Sequence, residues 1–136
     1  MSDSSITKLA LANSLKGLMV KTAFNKICVS DIVDNCGLTR QAFYYHFKDK
    51  YDLMNWIYYT ETACFMNSYN KVEHWMDGLT DLCNYMRQNK TFYSNALNTT
   101  GQNSFQEYLR DYIRDISISV IESIKDTEFE EEKWGF

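Results

Sequence analysis

Apolar residues recur at helical spacing along almost the whole chain. Leu11, Leu15 and Leu18 form one stripe over residues 5–22, and Ile6, Leu9 and Met19 widen it. Ile32, Val33 and Cys36 share a face of a short helix that Ser30 is placed to cap. Gly37 follows where the chain must reverse, because glycine takes the left-handed conformation at little steric cost. Thr39 is placed to cap a second short helix, with Phe43 and Phe47 inward and Gln41, Tyr44, Tyr45 and Lys48 outward. Phe24 and Ile27, in the connection after the first helix, are expected to plug a three-helix core.

Further on, Asp49 and Asp52 form a capping-box pattern that opens a helix to about Tyr69. Its apolar face is expected from Leu53, Trp56, Ile57 and Thr60, continuing through Cys64 and Met66–Tyr69. Residues 72–89 predict an amphipathic helix with Trp75, Met76, Leu79, Leu82, Cys83 and Met86 on its apolar side. A short helix over Phe92–Leu97 and a loop over Asn98–Gly101 come next. Asn103 or Ser104 then caps a helix striped by Phe105, Tyr108, Leu109, Tyr112, Ile113, Ile116, Val120 and Ile124. Ile118 and Ile121 make its last turns apolar on a second side, the pattern of a helix packed on both. Lys125 suits a helix end, and Thr127–Glu130 read as a box opening one more helix.

Two short helices about a glycine turn, with an outward polar face on the second, are the geometry of a helix-turn-helix. Arg40 and Gln41 stand near the N-terminus of the second helix, where two-pronged side chains suit base edges. Tyrosine and lysine suit phosphates and thymine methyls. The plainer alternative is a helical hairpin whose polar face meets only water.

The letters add to the pattern. Over IVDNCGLTRQAFYYHFKDKYDL, Ile32, Gly37, Tyr44, His46, Phe47, Lys50 and Leu53 match the DNA-binding signature of the tetracycline-repressor (TetR) family, and Leu38, Thr39 and Phe43 match by type. The segment therefore resembles that family of bacterial transcription regulators. Val33 and Cys36 replace its small alanines, and Ala42 replaces its threonine or serine, so that hydroxyl contact is not carried over. The resemblance implies an all-α chain: a three-helix helix-turn-helix DNA-binding domain over residues 1–50, then a helical-bundle ligand-binding and dimerisation domain over 51–136. It implies base contacts from Arg40, Gln41, Tyr44 and Tyr45, and phosphate contacts from Thr39, His46, Lys48 and Lys50. The expected partners are double-stranded DNA with a near-palindromic operator, a second copy of the chain, and an effector that is a protein or a small ligand.

The stretch FYSNALNTTGQNSFQEYL, Phe92–Leu109, resembles a C-terminal domain type of regulators related to the activator of dihydroxyacetone-kinase operons. In that relative the effector is a ligand-loaded partner protein. A second reading follows, an interaction module that needs a partner protein to bind DNA. Family members usually continue through two more helices that form the dimer interface. The chain is therefore expected to be a shortened one, with the bundle incomplete and the rear of the 104–125 helix exposed; the alternative is a natural short protein whose acidic tail is disordered.

Charge separates along the chain. The net charge is −4, which alone argues against a nucleic-acid binder. Residues 1–50 nevertheless carry a net +3 and residues 51–136 a net −7. That split places phosphate binding at the N-terminal end.

The four cysteines (Cys28, Cys36, Cys64, Cys83) lack metal-site spacing and are expected to be reduced thiols packed as small hydrophobes. Two histidines, one of them inside the reading helix, and the absence of a glycine-rich phosphate loop argue against an enzyme. No cofactor or metal is implied. No apolar run approaches the roughly 20 residues that span a bilayer. MSDSSITK lacks a signal-peptide pattern, so a cytoplasmic protein without membrane attachment is expected.

Overall fold

The computed structural model describes residues 3–68, 74–99 and 104–134, with side chains for all of these but 64, 66–68 and 127–134. Among the described residues the regular structure is all helical. The order is α1 (Asp3–Leu18), a 3-10 turn (Phe24–Lys26), α2 (Val29–Cys36), α3 (Arg40–His46), α4 (Lys50–Ser68), α5 (Trp75–Gln88), α6 (Lys90–Asn98) and α7 (Phe105–Trp134). The all-α architecture is as expected, with a helix-turn-helix head followed by a helical body.

The head forms because α1 packs on α2, α3 and α4. Leu11, Leu15, Ile32, Val33, Phe43 and Leu53 are fully buried at that junction, and Phe24 and Ile27 close it as expected. Ser14 is buried where α1 meets α2, and its hydroxyl donates to the Ile32 carbonyl at 2.6 Å. Asn35 donates back to the Ser14 hydroxyl at 3.1 Å, so the close approach leaves this polar group paired.

Three local expectations shift. Helix α1 stops at Leu18, four residues short of the expected end, and Met19 enters the core from the turn that follows. Cys28, not Ser30, caps α2: the Asp31 carboxylate accepts the Cys28 backbone N–H at 3.0 Å and its thiol at 3.1 Å. An acid at the third helical position closes the cap better than a hydroxyl one residue inside the helix. At α4, Asp49 does cap Asp52 N–H at 2.8 Å, while the Asp52 carboxylate reaches one residue further, to Lys48 N–H.

In the body, α4 packs on α5 and α7, and α6 packs on α5 and α7. The buried face of α4 is Leu53, Met54, Ile57, Tyr58 and Thr62; Thr60 is exposed, one position off the expected stripe. Tyr58, Tyr93, Phe105 and Tyr108 stack at centroid separations of 4.9–5.4 Å in the pairs Tyr58–Phe105, Tyr58–Tyr108 and Tyr93–Phe105. Aromatic pairs at such distances add to the area they bury. Helix α5 buries Gly78 and Leu82, while Met76 and Cys83 face out, against expectation. Cys28 is also exposed, while Cys36 is half-buried and packs against the core as expected; Cys64 lies outside the described side chains.

Ser104 caps α7 through Glu107 N–H at 3.3 Å, and Asn103 lies outside the described residues. Helix α7 runs unbroken to Trp134, so no new helix opens at Thr127; the side chains of the expected box lie outside the described set. Ile118 and Ile121 on its second side are each about half exposed, and so are Ile113 and Ile124 of the expected stripe.

Gly37 sits at φ 72°, and an added Cβ there would meet no atom within 4 Å. The cost of Gly37→Ala is therefore backbone strain alone, about 1–2 kcal/mol by chemical denaturation, and Gly37→Asn should cost less. The two hydrogen bonds from Cys28, the backbone one foremost, hold the Asp31 carboxyl below its ordinary 3.8. A lowered folded-state pKa stabilises above the unfolded value and is lost as pH falls through the folded one. Asp31→Asn should thus lower the urea midpoint at pH 7, with the gap to the parent narrowing as pH drops below 3.8.

Candidate nucleic-acid interface

Helix α3 has only seven residues, too few to persist alone, and is held from both ends and below. Gly37 ends α2 in the left-handed conformation and turns the chain. Thr39 takes extended backbone and its hydroxyl accepts Ala42 N–H at 3.1 Å, as expected of the cap. Phe43 and Phe47 are buried beneath the helix, 5.9 Å apart, and Phe47 meets Trp56 of α4 at 5.9 Å.

With that face fixed, the rest of α3 points to solvent. Arg40, Gln41, Tyr44 and Tyr45 are all exposed, Tyr45 at 83%. Tyr44 leans edge-on against Phe43 at 5.3 Å, and the Tyr45 and His46 rings meet at 4.9 Å. These contacts restrict the tyrosines without covering them. Lys48 is exposed just beyond the helix, and His46 is half-buried between Tyr45 and Phe47. Seven of the eight residues named from the sequence thus lie on or beside one small helix.

Lys50 stands apart. Its ammonium turns inward, donating to the Phe24 carbonyl at 2.8 Å and the Ile27 carbonyl at 2.7 Å, and lies 4.7 Å over the Phe24 ring. Burial lowers its pKa from the usual lysine value. Two of its three N–H groups are committed to fixing the α1–α2 connection against α4. Phe24 is gripped further, edge-on by Tyr51 at 5.3 Å and through its backbone N–H, which donates to Asn95 of α6 at 3.2 Å.

A second tie crosses the same boundary. Lys16 of α1 pairs with Glu61 of α4, whose other oxygen accepts the buried Tyr93 hydroxyl of α6 at 2.8 Å. Sequence reasoning missed Asn95, Glu61 and Tyr93. Their partners lie 71, 45 and 32 residues away, beyond any periodic signal.

No group of His, Cys, Asp and Glu among the described residues could hold a metal ion. No helix among them is long and apolar enough to cross a membrane.

Residues 16–56 match the family model described as "Bacterial regulatory proteins, tetR family", and residues 73–136 match "Transcriptional regulator C-terminal region". The chain is 33% identical over 93 residues to the HTH-type dhaKLM operon transcriptional activator DhaS of Lactococcus lactis subsp. lactis (strain IL1403). That alignment covers 68% of this chain and 50% of the relative, so the chain spans about half the length of the curated protein it matches. A solved structure named dihydroxyacetone kinase operon activator DhaS superposes with a TM-score of 0.67 at 26% identity, covering 90% of this chain and 68% of that one. Helices α2 and α3 fall within the first of these matched ranges and α5, α6 and α7 within the second, and the chain belongs to the TetR family of transcriptional regulators.

Proposed function

We propose that this chain is a sequence-specific DNA-binding regulator that enters the major groove with α3. The observation that carries the reading is the exposure of Arg40, Gln41, Tyr44 and Tyr45 on a helix whose opposite face is locked by Phe43 and Phe47. Arg40 and Gln41, in the first turn, reach base edges; a guanidinium or a carboxamide can make two hydrogen bonds to one base. Tyr44 and Tyr45 contact bases through thymine methyls and ring edges. Thr39, His46 and Lys48 hold phosphates and set the register. Lys50 fixes the head first and offers its remaining N–H to a phosphate.

The regulator acts as a homodimer in the cytoplasm, with DNA-binding residues 1–50 and an effector-binding and dimerising body at 51–136. The exposed isoleucines of α7 are the apolar face available to a second copy. Two heads then read half-sites about one helical turn apart, and the operator is near-palindromic. The DhaS relatives are named for activating dihydroxyacetone kinase operons, and activation of such an operon is the regulatory role to test.

Arg40→Ala or Gln41→Ala should cost roughly 1–3 kcal/mol on cognate DNA and relax one base position in a binding-site selection. Equal losses on cognate and scrambled duplexes would contradict base reading. Lys48→Ala should weaken binding to all sequences and reduce the salt slope by about 1, leaving the denaturation midpoint unchanged. Lys50→Ala should instead lower the denaturation midpoint together with DNA affinity. If it spared the midpoint, its carbonyl bonds would not be supporting the head.

A further inference from the structure

Away from the head, a cleft of about 450 Å³ lies between the first turns of α4 and α7. Trp56 and Tyr59 of α4 and Tyr108 of α7 line it, with Tyr58 buried at its base. Tyr108 meets Tyr58 at 5.4 Å and Tyr59 at 5.6 Å, so rings from both helices form one continuous surface. Tyr59 stays 59% exposed in this arrangement. Asp52 of α4 and Glu107 and Asp111 of α7 line the same cleft, and among the described residues no lysine or arginine does. Arg114 reaches Asp111 at 3.0 Å from one turn further along α7.

Aromatic faces carry negative potential and attract cations, most strongly where water is partly displaced. Carboxylates on two sides reinforce that preference and repel anions. The Trp56 ring already receives one cation of the chain: the Lys8 ammonium lies 6.0 Å from its centroid. Around Tyr58, burial and then the neighbouring Tyr108 and Glu107 push the phenol up to about 12. Acids and tyrosines on a solvated helix are ordinary. Here they converge from two helices on one concavity of ligand size.

We infer that the α4–α7 cleft binds an organic cation, an alkylammonium or guanidinium group presented by a small molecule or by an arginine side chain of a protein partner. The occupant would touch α4 at the turn that leaves the reading head, where Asp52 holds Lys48 N–H and Trp56 rests on Phe47. The inference goes beyond the DNA-reading proposal, and it is measured without DNA, so its failure would leave that proposal intact.

The test is a titration of the 136-residue chain followed by the tryptophan indole N–H resonances, with Trp56 assigned by Trp56→Phe. The probes are choline, arginine methyl ester and 3,3-dimethylbutan-1-ol, the uncharged carbon analogue of choline. The expected result is a saturable Trp56 shift with a cationic probe and roughly tenfold weaker binding of the neutral analogue. Tyr59→Leu and Glu107→Gln, both at exposed positions, should each weaken the cation by about fivefold while the remaining spectrum is unchanged. Tighter binding of the arginine ester would assign the site to a partner's arginine, and tighter binding of choline to a small ammonium ligand; either supports the inference. Absence of saturation with both cations, or an equal response to the neutral alcohol, would overturn it.

Discussion

The burial of Phe43 and Phe47 beneath α3 is the constraint on which the head depends. A seven-residue helix makes just under two turns and gains little from its own hydrogen bonds. Its stability must come from the two rings it sets into the core and from the Thr39 cap. Once those rings are fixed, helical geometry turns Gln41, Tyr44 and Tyr45 outward, and Arg40, three residues before Phe43, is exposed at the edge of that face in the first turn. The same packing that makes the helix persist therefore aims its polar side chains. Phe47 carries the constraint onward, because its partner Trp56 belongs to the next long helix.

Head and body share one continuous apolar core, from Leu11 to Phe105. Polar ties cross it at two points. Lys50 and Asn95 hold the 24–27 turn from α4 and α6, and Glu61 joins Lys16 of α1 to Tyr93 of α6. Lys16 and Glu61 are each partly exposed, so the ion pair itself contributes modestly. Its geometric effect is larger. A displacement of α6 moves Tyr93 and Asn95 together, and both are bonded to residues that position α1 and its following turn. The body is thus mechanically coupled to the reading head through named bonds as well as through α4.

Local features were legible in the sequence. Gly37 and Thr39 act through neighbours no more than five residues away, and Phe43 and Phe47 stand four apart on one helical face, so spacing alone places them. The same holds for the outward set on α3. Where the pattern misled, a specific competitor won. Ser30 looked like the better cap, but Asp31 accepts two bonds from Cys28 and moves the helix start. Thr127 looked like a new start, yet the residues after it continue α7. Met76 and Cys83 counted as apolar, but they fall outside the contact face of α5, which runs through Gly78, the expected Leu82 and the partly buried Trp75 and Met86. Lys50 matched a motif position, and only the fold reveals that its ammonium turns inward to two carbonyls. The ties through Glu61, Tyr93 and Asn95 join residues that no periodicity connects.

The most direct test of the account is a selection from random DNA duplexes by the purified chain at two salt concentrations, with the mass of the complex read alongside. The account predicts enrichment of a near-palindromic site bound by two copies, with a preference that survives the higher salt. Weak binding that vanishes with salt and enriches no sequence would contradict it, because the exposed face of α3 would then be contacting only phosphates.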